Sequence, residues 1–390
     1  MMNFCEALAR RGIAVDTALI HTIQSDKNTN DVLPSILENK RIAPLMHQPT
    51  PEKPIRQQEP LPEAHEVAAG IWKLTVPIPF PLRSVNMYAL VGNDGWALVD
   101  TGMGTPDARA AFTAGLHKAG LSINTLRTIV LSHDHPDHIG LSGELQEKSG
   151  ATVYMHPIDA NTMRETWQSM HPERFAHALK FFKQHGMPIS EPWFSQARAE
   201  DMLQIIRVPS HELITQIEDG AFVDLVGERY RVIWTPGHSD GHICLFRERD
   251  GVFLAADHVL PRITPNIGLY SEYDRHNPLD DYLHSLRKVA ALPASIVLPG
   301  HGEPFADLAG RVEEIIKHHE QREMEILTLL DEQPQHAYQL AEKVFGARLK
   351  SSEARRMAVA EILSHLEYLR YDGQVEQQKT TEGLILYAAV

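Results

Sequence analysis

The groups able to do chemistry in this chain crowd into seven consecutive residues, Ser132-His133-Asp134-His135-Pro136-Asp137-His138. Imidazole nitrogen and carboxylate oxygen together suit zinc and related divalent metals. A lone histidine in a loop reads as a solvated surface turn. An H-x-H-x-D-H cluster directly after a strand reads as a metal site. The cluster follows Thr128-Ile129-Val130-Leu131, a β-branched and apolar run that predicts a buried strand. Ile139 to Lys148 predicts the helix after it, with Gly150 as terminator. The cluster therefore sits at the carboxyl end of a strand, where α/β proteins place their chemistry.

A single loop cannot complete a metal shell, so further strand ends must contribute. Trp96 to Val99 ends in Asp100-Thr101-Gly102, whose carboxylate reads either as a turn former or as a group holding a ligating histidine from behind. Arg231 to Trp234 leads into Thr235-Pro236-Gly237-His238-Ser239-Asp240-Gly241-His242. Val252 to Ala255 ends at Ala256-Asp257-His258, and Ser295 to Leu298 runs into Pro299-Gly300-His301-Gly302. Such loops converge on one point when they lie at one edge of a sheet sandwich.

The remaining elements follow from periodicity and turn signals. Ile71 to Pro77 predicts a strand, and Val85 to Val91 pairs with Trp96 to Val99 around Asn93-Asp94-Gly95. Asp107 to Ala119 predicts a helix closed by Gly120, and Ala151 to Met155 a strand. Ala221 to Leu225 is a further strand, and Ile243 to Phe246 pairs with Val252 to Ala255 across Asp250-Gly251. Residues 157–210 differ in character and form a helical insertion. Its helix Arg174 to His185 carries Phe175, Leu179 and Phe182 at helical spacing and ends at Gly186. Met163, Trp167, Met170, Met187, Trp193 and Phe194 surround it. This apolar set reads equally as a satellite core or as a lid over the metal site.

The chain has 390 residues, enough for two domains or one with appendages. The N-terminus lacks an apolar h-region, no apolar run approaches a membrane span, and Cys5 and Cys244 make no disulfide framework. A cytoplasmic location is the expectation. The formal charge of −14 disfavours nucleic acid. Residues 1–66 read as an extension, a weak helix from Phe4 to Leu19 followed by a linker rich in proline (Pro44, Pro49, Pro51, Pro54, Pro60, Pro62). Residues 67–310 form the main domain and 311–390 a linking helix with a small terminal module. Arg311 to Leu330, Ala337 to Phe345 and Ala354 to Tyr371 predict helices, and Gln374 to Gln377 with Leu384 to Ala388 a hairpin. Helix, helix, hairpin is a winged-helix pattern. Seven acidic residues balance seven basic ones from His336 to Val390, so packing or homodimer formation suits the module better than nucleic-acid reading.

Taken together, H-x-H-x-D-H, a Pro-Gly-His turn, an Asp and a Gly-His-Gly turn resemble the metallo-β-lactamase fold superfamily over residues 68–310. The resemblance implies an α/β, four-layer αββα sandwich. It implies that His133, His135 and His238 hold one metal, that Asp137, His138 and His301 hold a second, and that Asp257 bridges them, as in the glyoxalase-II-like branch. The expected cofactors are two zinc ions per chain, with iron or manganese accepted by the same donors. True zinc β-lactamases commonly have a cysteine ligand and lack the bridging Asp, so Asp257 argues against antibiotic hydrolysis. The activity implied is attack by a hydroxide bridging the two zinc ions on an ester-like bond, a thioester or lactone, of a small and partly apolar substrate. Asp137, Asp257 and His242 are the candidate catalytic residues. Asp100 is a candidate for supporting the ligands, Asp134 for the same role or for facing solvent, His242 and His258 for supporting the ligands or contacting substrate, and Tyr270 for reaching the site from the following loop. The same donors serve phosphodiesterases and ribonucleases, and a metal-stabilised winged-helix regulator is the non-enzymatic alternative.

Overall fold

The computed structural model describes residues 64–80, 82–168, 172–188 and 196–390; the expected N-terminal helix and proline-rich linker lie outside the described residues. The strand-forming runs of the main domain sort into two sheets. The first holds β1 (His65–Ala68), β2 (Ile71–Pro77), β3 (Ser84–Gly92), β4 (Gly95–Val99), β5 (Leu126–Val130), β6 (Thr152–Met155) and β7 (Ile214–Gln216) in that spatial order. Tight turns make β1 to β4 antiparallel, whereas β4 to β7 are parallel and need crossovers. The second holds β8 (Phe222–Leu225), β9 (Glu228–Trp234), β10 (Ile243–Arg247), β11 (Val252–Ala256) and β12 (Ile296–Pro299), in the order β12-β11-β10-β9-β8. Only β11 and β12 pair in parallel there.

Each crossover helix has a local reason to form. Helix α1 (Pro106–Ala119) starts on Thr105, whose hydroxyl accepts from the Ala108 amide. Pro106 then occupies the first turn, and Gly120 closes the helix at φ 67°. The helix expected from Ile139 to Lys148 is instead two, α2 (Pro136–Ile139) and α3 (Ser142–Ser149). The break falls at Gly140, where a Cβ would lie 2.8 Å from the Gly102 carbonyl oxygen and from Met103 Cα. That close approach seats α2, which carries Asp137 and His138, against the loop after β4.

Three apolar layers result. Between the sheets, Tyr88, Leu90, Val99 and Val130 meet Val232, Leu245, Leu254 and Leu298. Outside the first sheet, Leu98, Ile129 and Leu131 meet Ala108, Phe112 and Leu145 of α1 and α3. Outside the second, Ile233, Phe246 and Phe253 meet α7 (Pro278–Ala290) and the first half of α8 (Leu308–Glu332) through Leu283, Leu286, Val312 and Ile315. The α/β, four-layer αββα sandwich is thus observed. Helix α7, with Leu279, Tyr282, Leu283, Leu286 and Val289 buried at helical spacing, was legible but not anticipated. Strands β1 and β7, of 4 and 3 residues, are too short to show a period.

The insertion leaves the first sheet after β6 and returns at β7 through α4 (Pro157–Met163), a π turn (Arg164–Gln168), α5 (Pro172–Gln184) and α6 (Gln196–Ile205). The lid reading does not hold for α5. Phe181, Phe182 and Met187 pack with Ile326, Leu340, Ala341, Leu363 and Tyr387, in the core of the C-terminal module. Met170, Trp193 and Phe194 lie outside the described residues. The module itself has α9 (Ala337–Phe345), α10 (Ser352–Tyr371) and a hairpin of β13 (Val375–Lys379) and β14 (Ile385–Ala389). Helix α8 spans both regions, because its second half gives Ile326 and Leu330 to the module. Among the described residues no helix is long and apolar enough to cross a membrane.

Candidate metal centre

Sheet pairing brings the loops together. Val99 and Val130 are partners in the parallel β4–β5 pair, and the Asp100 amide continues the ladder to the Val130 carbonyl at 2.9 Å. Asp100 is thereby set beside Ser132 and His133. In the second sheet Ala256 partners Pro299, and the Gly300 amide donates to the Ala256 carbonyl at 2.7 Å, placing Asp257 beside His301. The two sheets are stitched at the same point. The Ile243 amide donates to Ser132, the Asn86 amide to Gly300, and the Asn86 side-chain amide to Pro299 and Gly302.

Two glycines permit the convergence. A Cβ on Gly300 would sit 2.1 Å from Asp257 Oδ1 and 3.0 Å from His138 Cε1. Gly237, at φ 135°, leaves room for the backbone of Tyr282 while turning His238 inward.

Within this frame one ring nitrogen of each key histidine is committed. His138 Nδ1 donates to Asp100 Oδ2 at 2.8 Å, His238 Nδ1 to the Asn266 carbonyl at 2.9 Å, and His301 Nδ1 to the Ser84 carbonyl at 2.7 Å. His133 Nδ1 meets Ser132 Oγ at 2.8 Å, and that hydroxyl donates in turn to Asp100. The Nε2 of each of these four rings therefore faces the cluster. His133 Nε2, His138 Nε2, His238 Nε2 and Asp257 Oδ1 are buried polar atoms without a hydrogen-bond partner. Orphaned donors of this kind are costly unless they share a cation, so the set fits metal ions. Three groups gather closely enough to hold one: His133, His135 and His238; His133, His138 and Asp257; and Asp137, His138 and His301. Asp257 spans the cluster. Its Oδ1 lies 3.5 Å from His138 Nε2, and its Oδ2 lies 3.5 Å from His238 Nε2 and 3.2 Å from His301 Nε2.

The electrostatics divide the cluster in two. Burial, with the neighbouring imidazoles, holds His133 well below its ordinary pKa. Burial and His238 bring His135 down to about 3. His238 is lowered by burial, against Asp257. These three stay neutral at pH 7, the form that ligates. The other side collects negative charge. Burial alone would raise the Asp257 carboxyl, but His301 and His138 outweigh it and hold it well below the carboxylate range. Asp137 is lowered in the same way, by His138 and His301 against burial. Burial pushes His301 down, yet Asp257 and Asp137 prevail and push it up to about 10. A carboxylate-rich half that draws positive charge beside a neutral imidazole half is the donor chemistry of a two-cation site.

The other candidates fall around this centre. His242 is fully buried, bonds Thr235 Oγ1 through Nδ1 at 2.8 Å, and lies 5.0 Å from the His133 ring, tilted by 36°. His258 is also buried, 6.0 Å from the His242 ring, and burial pushes it down to about 3. Asp134 is half-buried, and its carbonyl receives the Trp167 indole N–H at 3.2 Å. Tyr270 does not reach the cluster; its hydroxyl donates to the Asn266 side chain. Sequence reasoning missed Ser132, Asn266 and Asp159. Asp159, on α4, accepts from Ser239 Oγ and the Gly241 amide at 2.6 Å each and so braces the His238 turn. Burial pushes its carboxyl up to about 7. Only the Ser132 position, inside the motif, carried a sequence signal.

The comparisons with known proteins agree with this fold. Residues 80–301 match the family model of the metallo-beta-lactamase superfamily, and residues 324–390 match that of the metallo-beta-lactamase-like C-terminal domain. A probable metallo-hydrolase, YqjP of Bacillus subtilis, is 30% identical over 305 residues, 76% of this chain and 91% of that protein. The crystal structure of a metallo-beta-lactamase family protein from Thermus thermophilus superposes with a TM-score of 0.74 at 38% identity, covering 83% of this chain and 100% of that one. An atrochrysone carboxyl ACP thioesterase of Aspergillus fumigatus is 25% identical over 252 residues, 64% of this chain and 60% of that protein. With its sandwich fold and a His and Asp cluster able to hold metal ions, the chain belongs to the metallo-β-lactamase superfamily and is a metallo-hydrolase.

Proposed function

We propose that the chain is a binuclear zinc hydrolase that cleaves an ester-like bond, a thioester or a lactone, in a small and partly apolar substrate. The observation that carries this reading is Asp257, a single carboxylate facing imidazoles from both halves of the cluster within 3.5 Å. His133, His135 and His238 would hold one ion, Asp137, His138 and His301 the other, and Asp257 both. Zinc suits these donors, and iron or manganese is accepted by the same set. When bound, a metal pair supplies Lewis acidity and a water of lowered pKa.

The protein's part is to fix the donors and shape the approach. Asp100 and Ser132 set the tautomers of His138 and His133, and the Ser84 and Asn266 carbonyls set those of His301 and His238. The Asp137 and Asp257 carboxylates balance the cationic charge. His242, shielded from solvent and 5.0 Å from the His133 ring, is read as packing behind that imidazole, with Asp137 and Asp257 kept as the catalytic candidates. His135, His238 and Asp134 keep partial exposure, so substrate approaches from their side. Trp167 offers an apolar surface there, anchored to the Asp134 carbonyl. The similarity to an ACP thioesterase supports an acyl substrate, and the balanced charge of the C-terminal module speaks against nucleic acid.

The test pairs metal content by mass spectrometry with a screen of acyl thioesters, lactones and a phosphodiester. Two metal ions per chain with thioester or lactone turnover, both lost in Asp257→Ala, is the expected result. Phosphodiester turnover alone, or one ion per chain, would overturn the proposal.

A further inference from the structure

The C-terminal module has no assigned part in the chemistry, and its neutral charge balance gives it no evident ligand. Its longest helix nevertheless holds one segment of the catalytic domain along two of its turns. The loop 266–270 lies along α10. The Asn266 side-chain amide donates to the Met357 carbonyl at 3.3 Å and to Glu361 Oε2 at 3.4 Å. The Leu269 amide donates to the Ala360 carbonyl at 3.0 Å, and Ser364 Oγ donates to the Ile267 carbonyl at 2.6 Å. Positions 357, 360, 361 and 364 form one stripe of the helix, so two turns of α10 face the loop. Tyr270 closes the arrangement from the loop's far end. Its hydroxyl donates to Asn266 Oδ1, and the Arg356 guanidinium of α10 lies 4.7 Å above its ring. Leu269 is buried in the module's own core.

The other face of the same loop meets the metal centre. The Asn266 backbone carbonyl receives the His238 Nδ1 proton at 2.9 Å, and the Nε2 of that ring is buried without a partner. Both hydrogen-bonding ends of the Asn266 side chain are thus occupied by groups of, or held by, α10, while its carbonyl fixes the tautomer and plane of His238. A carbonyl on a free loop would wander. This one is set by three contacts on its own residue and two on its neighbours.

We infer that the C-terminal module is a structural part of the metal centre, with α10 acting through Asn266 to position His238. This rests on the reading of His238 as a metal ligand. Asn266 is a positioning residue, and Tyr270, Glu361 and Ser364 support it.

The experiment measures zinc affinity of the full-length chain by chelator competition, alongside the urea midpoint of the zinc-free protein. Asn266→Ala keeps the carbonyl but frees it. Zinc binding at one of the two sites is expected to weaken about tenfold, the low end of the roughly 10- to 100-fold cost of losing a ligand's outer partner. Tyr270→Phe removes one hydroxyl and is expected to weaken the same site several-fold with the fold intact, which keeps the inference testable if Asn266→Ala folds poorly. Val344→Ala, a core change on α9 that leaves the hydrogen bonds between α10 and the loop in place, is expected to lower the urea midpoint and leave zinc affinity unchanged. Asn266→Ala and Tyr270→Phe binding zinc within about twofold of wild type would overturn the inference, as would Val344→Ala weakening zinc as much as they do. His238→Ala separates the two levels: retention of both zinc ions at full affinity would refute the ligand reading itself, whereas loss of one ion there with none in Asn266→Ala refutes only the positioning role.

Discussion

Asp100 is the residue whose replacement most directly tests how the centre is held. It is 2% exposed and sits at φ 60°, a left-handed conformation that Asp and Asn tolerate and other residues resist. Its two oxygens take three bonds of 2.8 Å, from the Ser132 amide, the Ser132 hydroxyl and His138 Nδ1. Asp100→Asn keeps size and backbone but replaces one acceptor oxygen by an NH2. Set against His138 Nδ1–H, that group meets donor with donor. Turned the other way, it meets the Ser132 amide donor to donor and strands that bond. A lost outer partner costs about 10- to 100-fold in metal affinity. Converted at about 1.4 kcal/mol per tenfold, that is roughly 1.4–2.8 kcal/mol, consistent with about 1.5–3 kcal/mol for a hydrogen bond to a charged group. The loss is asymmetric, because His138 belongs to the Asp137 and His301 group while His133 is reached only through Ser132. Zinc titration against a chelator at neutral pH is therefore expected to show one site weakened by that factor and the other less so. Ser132→Ala is expected to show the reverse order. Combined, the two changes should be non-additive, since both act through one carboxylate. Equal affinities within about twofold of wild type in Asp100→Asn would refute the account of how the imidazoles are oriented.

Two further outcomes follow from packing and charge. Gly300→Ala forces a methyl against Asp257 Oδ1 and the His138 ring. It is expected to lower metal content below two per chain and cut turnover by about 100-fold or more, in line with the cost of a roughly 1 Å misplacement, with an unchanged far-ultraviolet dichroism spectrum. Glu323, on α8, has its carboxyl pushed up to about 7 by partial burial, with Glu320 and Asp372 adding repulsion. A raised folded-state value means the folded chain holds a proton that the unfolded chain releases above about 4.5. Stability from this group is full below that pH and declines as pH rises through about 7. Glu323→Gln is expected to raise the melting temperature at pH 8 and leave it unchanged at pH 5; a shift of equal size at both values would refute it.

The donor set was legible in the amino-acid sequence because ligand chemistry is a matter of residue type, spacing and position at strand ends. His133, His135, Asp137, His138, His238, Asp257 and His301 all come to one cluster, and the strand runs that deliver them lie within a residue or two of their expected limits, except β9, which begins three residues earlier. Turns such as Asn93-Asp94-Gly95 are local, so local residues announce them. The break at Gly140 was not announced, because its cause is the backbone of Gly102 and Met103 in another loop. The apolar face of α5 was visible, but its partner was not: periodicity gives a face and not what covers it. Tyr270 was read toward the metals and lies instead on Asn266 and α10.

Sequence by itself therefore determined which groups gather at one point and which strands carry them. Tertiary structure alone decided which nitrogen of His138, His238 and His301 turns inward. That choice is made by acceptors at Asp100, Asn266 and Ser84, lying 38, 28 and 217 residues from the histidines they hold. A histidine's tautomer is set by whatever accepts its second N–H, and partners so distant along the chain are brought up by sheet pairing and helix packing, which no local pattern records.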